Sequence, residues 1–150
     1  ELKRYFTKDF QSARFIRFAH WRQYAEGLIE KFDIRSGQGP KTMVRSMSGG
    51  NQQKAIIARE LDQDLDLVLA VQPTRGLDVG AIEYIHYQLL EQRDKGKGVL
   101  VISFELEEIM DISDRILVMY EGEIVAELCP RETTAQEIGL YMAGSKRKEA

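Results

Sequence analysis

The stretch that decides the fold is residues 46–54, SMSGGNQQK, which leads directly into the helical pattern of residues 55–61, AIIAREL. A serine and two glycines at the start of a helix leave backbone N–H groups without an intrahelical acceptor, and the helix dipole adds partial positive charge there. Such a terminus binds phosphate well. The candidate phosphate-binding residues are Ser48, Gly49, Gly50, Asn51 and Gln52. Taken alone, the pattern more often marks a plain N-cap at Ser48.

Beyond this loop, short apolar runs alternate with helical patterns. We predict a helix over 50–61, a buried strand at 67–71, a helix over 81–95, a strand at 99–103 and a helix over 105–112. Parallel neighbouring strands need a crossover between them, so this alternation indicates an α/β fold with a mostly parallel sheet flanked by helices. A hairpin of strands at 116–120 and 124–128 and a closing helix over 134–143 complete the pattern.

The first 32 residues are rich in aromatic side chains. Helical spacing, which predicts a helix over 12–32 with an apolar stripe facing the core, is approached by Phe15, Phe18, Ala25, Ile29 and Phe32. A partner-docking groove is the less favoured interpretation of that stripe. The last six residues, 145–150, are predicted to form a frayed tail.

Composition excludes several classes of protein. With 43% hydrophobic and 30% charged residues among 150, the chain is neither disordered nor membrane-spanning. A single cysteine, Cys129, cannot close an intramolecular disulfide. The formal charge is +6 over residues 1–60 and −9 over residues 61–150. This balance argues against general nucleic-acid binding but allows the basic half to meet an anionic ligand.

Four blocks, in this order and spacing, carry a family resemblance: MSGGNQQK at 47–54, QPTRGLD at 72–78, SDRI at 113–116 and YEGEIV at 120–125. Together they closely resemble the C-terminal part of an ABC-transporter nucleotide-binding domain, a P-loop NTPase-type fold. The combination of SGGNQQK with PTRGLD is most similar to the second of two tandem ATPase domains in importers for simple sugars or nucleosides.

The resemblance also implies a division of the chain. Residues 1–46 look like the end of the helical subdomain, residues 47–128 like the signature loop and the C-terminal part of the ATPase core, and residues 129–150 like a C-terminal helix and tail. The family's phosphate loop, Gly-x-x-x-x-Gly-Lys-Ser/Thr, occurs nowhere in the sequence. We therefore expect a C-terminal fragment that lacks the phosphate-loop portion and is inactive alone.

Three catalytic positions of the family carry unexpected residues. Val71 and Gln72 stand where the resemblance implies an aspartate that organises Mg²⁺ and a glutamate that polarises water, and Phe104 stands where it implies a histidine. Valine offers no oxygen to a hard cation, and a neutral carboxamide cannot accept a proton as a carboxylate does. This domain's own ATP site is therefore predicted to be degenerate, with no catalytic or metal-binding residue in the chain.

In this family, nucleotide is held between one domain's phosphate loop and the other domain's signature loop. The resemblance thus implies that residues 48–52 act in trans on ATP and Mg²⁺ held by the first ATPase domain of the same full-length protein. Asp78 matches the aspartate of the loop between the two sites. An alternative role for Asp78 is that of the N-cap of the helix that follows it. Expected partners are transmembrane permease subunits and, indirectly, a solute-binding protein, at the cytoplasmic face of the membrane; the chain alone could self-associate.

Two other classes of protein stay open from the sequence. An ATPase head of the chromosome-maintenance or DNA-repair type also has a Ser-Gly-Gly signature, but the chain shows neither coiled-coil heptads nor a basic stripe for DNA. The other class is a non-catalytic interaction module in which the loop is only a helix cap.

Overall fold

We describe the fold from a computed structural model, which covers residues 7, 10–12, 15–63 and 65–146. In chain order its elements are β1 (Gln11–Ser12), β2 (Phe15–Ile16), α1 (Phe18–Lys31), two 3₁₀ turns (Gly39–Lys41 and Val44–Ser46), α2 (Gly49–Leu61), β3 (Leu67–Val71), α3 (Val79–Asp94), β4 (Gly98–Ile102), α4 (Leu106–Ile112), β5 (Ile116–Tyr120), β6 (Glu123–Leu128) and α5 (Ala135–Met142). The predicted α/β class is confirmed. From α2 onward, each element lies within two residues of its predicted bounds.

The chain divides into two compact units. Unit 1 comprises Glu1–Val68 and Thr74–Gly98, and unit 2 comprises Leu69–Pro73 and Val99–Ala150. Among the described residues, no helix is both long and apolar enough to span a bilayer.

Unit 1 is built on helices α1, α2 and α3. Apolar residues three to four positions apart place one face of a helix in the core, as Ile85 and Leu89 do on α3. The buried apolar residues of this unit are Phe32, Ile34, Ile57, Ala58, Ala81, Ile85 and Leu89. At the end of α2, the Tyr24 hydroxyl donates a hydrogen bond to Asp62 Oδ2 at 2.8 Å, which ties α1 to α2.

Unit 2 contains the predicted hairpin, which is confirmed. β5 and β6 pair antiparallel, with Ile116 opposite Leu128. Glu121 and Gly122 have φ of 48° and 84°, as a two-residue hairpin turn of the twist-matching type requires. The inward side chains of the hairpin pack against α5 in a core of Ile116, Val118, Ala126, Ile138 and Tyr141.

β3 and β4 form the parallel pair. The amide of Gly98 donates to the Asp66 carbonyl at the strand starts, and that of Gln72 donates to the Ile102 carbonyl at the ends, both at 2.8 Å. The starts of the two strands are thus joined to each other, as are their ends, so the strands run in the same direction. The other two pairs, β1–β2 and β5–β6, are antiparallel, so among the described residues the parallel arrangement is confined to this pair.

The prediction that strand 67–71 is buried is wrong in this structure. Leu67 and Leu69 are each 60% exposed and Val71 is 59% exposed, whereas the alternate residues are partly covered. Successive side chains of a strand point to opposite faces, so an apolar run needs cover on both sides to be buried. Only one face of β3 has that cover here.

The prediction of a helix over 12–32 is also wrong at its start. Residues 11–12 and 15–16 form a small antiparallel pair, and α1 begins only at Phe18. The aromatic rings of Phe10, Trp21 and Tyr24 pack on one another, with centroids 4.3 to 5.8 Å apart. Phe15 and Phe18 are each 78% exposed, so the predicted core-facing stripe is wrong at its start, whereas Phe32 at its end is buried. Of the predicted tail, residues 147–150 lie outside the described residues.

Candidate functional site

Ser48 caps helix α2, and the interpretation of this residue as an N-cap is confirmed. Its Oγ accepts a hydrogen bond from the Asn51 amide at 3.4 Å, while its carbonyl accepts from the Gln52 amide at 2.9 Å. These bonds satisfy the third and fourth backbone amides after the cap, which are those of Asn51 and Gln52. Helix geometry leaves the first two, those of Gly49 and Gly50, without an intrahelical acceptor. Ser48 and Gly49 are exposed, so the donor end of the helix is accessible.

The side chains of Asn51 and Gln52 both have partners within unit 1. Asn51 Oδ1 accepts from the Arg35 amide at 2.7 Å, and its Nδ2 donates to Ser48 Oγ at 2.9 Å. Gln52 Nε2 donates to the Met47 carbonyl at 2.9 Å. These carboxamides hold the loop in the structure, and direct contact between them and a phosphate stays a prediction.

Lys54 anchors α2 one turn further along. Its Nζ donates to the Asp33 carbonyl at 3.0 Å and to Asp33 Oδ2 at 2.7 Å, and it lies 4.3 Å from the centre of the Tyr84 ring. The hydrogen bond from Lys54 lowers the pKa of the Asp33 carboxyl below its usual value. Burial raises the pKa of Tyr84 to about 12. Asp33 has a left-handed φ of 46°, a conformation that aspartate tolerates better than most residues.

Gly50 packs against the start of helix α3. A Cβ on Gly50 would lie 3.1 Å from Ala81 Cβ and 3.6 Å from Asp78 Oδ2. The missing side chain of Gly50 therefore faces the protein interior, where it allows a close approach of two helix starts. Asp78 caps α3, because its Oδ1 accepts from the Ala81 amide at 3.0 Å. The structure thus brings the Ser-Gly-Gly loop and Asp78 together within unit 1.

The three positions that the family resemblance marks as catalytic lie at the ends of β3 and β4, in unit 2. Val71 is 59% exposed and Phe104 is 73% exposed. Gln72 has a left-handed φ of 49°, and its Nε2 is buried without a hydrogen-bond partner. Strained backbone of this kind is common at functional sites. The three side chains, however, are two hydrocarbons and one neutral amide, and none of them is an acid or a base.

These three residues do not fit a magnesium–nucleotide complex, since a hard cation prefers carboxylate and carbonyl oxygen. Over the described part of the chain, no group of three or more His, Cys, Asp or Glu side chains is placed to hold a metal ion. The assignment of Val71, Gln72 and Phe104 to a degenerate site stays a prediction.

Sequence reasoning missed the residues that hold the loop, namely Arg35, Asp33 and Tyr84. The first two lie 16 and 21 positions before their partners Asn51 and Lys54. A backbone amide such as that of Arg35 leaves no trace in the sequence. One sequence signal could have indicated these contacts: residues 51–54 are all polar, although α2 packs against both α1 and α3.

The solved structures define the class of protein. A dimeric structure of a bacterial ABC transporter cassette superposes with a TM-score of 0.64 at 26% identity, over 83% of this chain and 52% of that one. An ATP-binding subunit of an ABC transporter superposes with a TM-score of 0.66 at 20% identity, over 87% of this chain. The fold is therefore that of an ABC ATPase cassette, of which the chain spans about half.

The relatives that match by sequence are ATP-binding proteins of importers. The chain is 54% identical over 149 residues to the guanosine import ATP-binding protein NupO of Bacillus subtilis, covering 99% of this chain and 29% of that protein. It is 48% identical to the glucose import ATP-binding protein TsgD13 of Haloferax volcanii, covering 91% of this chain and 26% of that protein. No protein-family model matches the chain. The chain is thus similar to a segment of the ATP-binding proteins of nucleoside and sugar importers, and it spans less than a third of the length of these relatives.

Proposed function

We propose that this chain supplies the signature loop of an ABC importer ATPase to a nucleotide held by a second ATP-binding domain. The observation that carries the proposal is the start of α2. Ser48 and Gly49 are exposed there at the positive end of a helix dipole, and the amides of Gly49 and Gly50 have no intrahelical acceptor. Preorganised donors of this kind stabilise charge that develops on a transferred phosphoryl group.

The chain's own half of the nucleotide site is, in this proposal, catalytically degenerate. The ends of β3 and β4 carry Val71, Gln72 and Phe104 instead of groups that bind a cation or accept a proton. ATP and Mg²⁺ are therefore assigned to the partner domain's loop and carboxylates. The 150-residue chain alone should hydrolyse no ATP above background.

Asp78 is proposed to connect the two half-sites. It caps α3 and lies beside Gly50, so a displacement of its loop would be transmitted to the signature loop by direct contact. Residues 47–128 would form the signature loop and late core of the cassette, preceded by residues 1–46 as the end of the helical subdomain and followed by residues 129–150.

Nucleosides are the proposed solute class. Identity is higher to the guanosine importer protein, at 54%, than to the glucose importer protein, at 48%. The proposed partners are the first ATPase domain of the same full-length protein, transmembrane permease subunits and, indirectly, a solute-binding protein, with the chain at the cytoplasmic face of the membrane. The import relatives give no support to the DNA-repair alternative.

The test is Ser48→Arg in the full transporter assembly. A long cation at the cap would occupy the space in front of the two free amides, so steady-state ATP hydrolysis should fall by about 10²-fold or more. Ser145→Arg, an exposed serine in unit 2, is the matched control and should leave the rate unchanged. An unchanged rate for Ser48→Arg would contradict the proposed role in trans.

A further inference from the structure

The hydrogen bonds around Ser48 determine which way its hydroxyl proton points. Ser48 Oγ lies 2.9 Å from Asn51 Nδ2 and 3.4 Å from the Asn51 amide, and both of these groups can only donate. A serine hydroxyl has two acceptor lone pairs and one proton. With both lone pairs facing donors of Asn51, the proton is directed away from the helix.

The orientation of the Asn51 carboxamide is fixed independently. Its oxygen lies 2.7 Å from the backbone amide of Arg35, and a backbone N–H is always a donor. The atom facing Arg35 must therefore be the oxygen, and the NH₂ group must face Ser48. The backbone at Arg35 is fixed by the preceding residue, Ile34. Ile34 is 7% exposed, and its amide donates a hydrogen bond to the Ile29 carbonyl at 2.9 Å.

We infer that Asn51 is a positioning residue that holds Ser48 as an outward hydrogen-bond donor to the terminal phosphate, which rests on the proposed function of the loop. The chain of contacts runs from the Arg35 amide through the Asn51 carboxamide to the Ser48 hydroxyl. Ser48 and Asn51 also line the same open groove as Arg35, and Ser48 is exposed. Asn51 acts through Ser48 and needs no contact with nucleotide of its own.

A double-mutant cycle in the full transporter assembly tests this inference. Asn51→Ala should lower the rate of ATP hydrolysis at saturating ATP by about tenfold, because the hydroxyl then loses the shorter of the two hydrogen bonds that orient it. Ser48→Ala should lower it at least as much, and Ser48→Ala with Asn51→Ala should be no worse than Ser48→Ala alone. Groups that act as one unit are non-additive in this way, whereas a separate structural role would give additive losses.

Two further variants separate positioning from folding. Asn51→Asp keeps an oxygen for the Arg35 amide but turns the second atom into an acceptor, so the Ser48 proton turns inward and the rate should stay at or below that of Asn51→Ala. Thr134→Ala removes the corresponding cap of α5, in which Thr134 Oγ1 accepts from the Glu137 amide at 3.2 Å, and should not change the rate.

The outcomes distinguish the two proposals. A wild-type rate for Asn51→Ala or Asn51→Asp, or additive losses in the cycle, would overturn the positioning role while Ser48→Ala still reports on the loop. A wild-type rate for both Ser48→Ala and Ser48→Arg would overturn the proposed function itself.

Discussion

The signature loop at the start of α2 and the strand ends at Val71, Gln72 and Phe104 are built in opposite ways. The loop exposes Ser48 and Gly49 and is held by polar contacts from Asn51 and Lys54 to residues 16 and 21 positions away. The strand ends expose Val71 and Phe104 and bury an unpartnered amide nitrogen of Gln72. Hydrogen-bond donors lie in the region that is proposed to meet a phosphate, whereas a hydrocarbon, Val71, and a neutral amide, Gln72, stand where a metal ligand and a base would be needed.

The largest effect expected from the loop side, after Ser48→Arg, is that of Gly50→Leu. A side chain at Gly50 meets Ala81, so Leu would separate the starts of α2 and α3 and displace the loop. We expect a loss of stability of about 1–3 kcal/mol and at least a tenfold lower rate of ATP hydrolysis in the assembly. Thermal unfolding and steady-state hydrolysis measure the two effects.

Gly27→Leu is the matched control, because a Cβ at that helical glycine has nothing within 4 Å. Equal behaviour of the two variants would show that the contact between Gly50 and Ala81 does not position the loop.

An intermediate effect is expected from the anchor of Lys54. The pKa of Asp33 is lowered in the folded protein, so its contribution to stability is present above the unfolded pKa of about 4 and is lost as the pH falls through the lower, folded value. Asp33→Asn should therefore lower the melting temperature at pH 7, with a difference from wild type that shrinks below about pH 4. Thermal melts between pH 7 and pH 3 measure it.

Asn tolerates the left-handed backbone at position 33, so this variant tests charge and not conformation. Asp94→Asn removes the carboxylate of an exposed ion pair with Arg93 and is the control. A difference that grows on acidification would contradict the assignment of Asp33 as the anchor.

The smallest effect is expected at the strand ends. Gln72→Ala removes a carboxamide that cannot accept a proton, so ATP hydrolysis in the assembly should stay within about twofold of wild type. The comparison with Ser48→Arg is direct, since one substitution lies in each region. A tenfold or greater loss for Gln72→Ala would show that the strand ends take part in turnover.

Much of the fold could be predicted from local sequence signals. Ser48 and Asp78 each precede a helical pattern with a small or acidic capping side chain, and both caps are confirmed. The hairpin between the apolar runs at 116–120 and 124–128 could also be predicted, and its turn lies at Glu121 and Gly122. These features depend on contacts within a few residues, which the sequence displays directly.

The errors arose where distant contacts decide the structure. The spacing of Phe15 and Phe18 fits a helix, but residues 11–12 and 15–16 pair as strands and Phe10 packs on Trp21. The apolar run at 67–71 predicts burial, but a strand is buried only if other segments pack against both of its faces, and the run itself does not show whether they do. The hydrogen bond from the Arg35 amide to Asn51 could not be predicted for the same reason, because a backbone amide has no sequence signature.

The most direct measurement is a structure of the full transporter assembly with a non-hydrolysable ATP analogue. The account predicts that Ser48 Oγ and the amides of Gly49 and Gly50 lie about 3 Å from oxygens of a terminal phosphate bound by the partner domain. The same groups turned toward solvent, or toward another protein segment while the nucleotide is fully bound elsewhere, would contradict it.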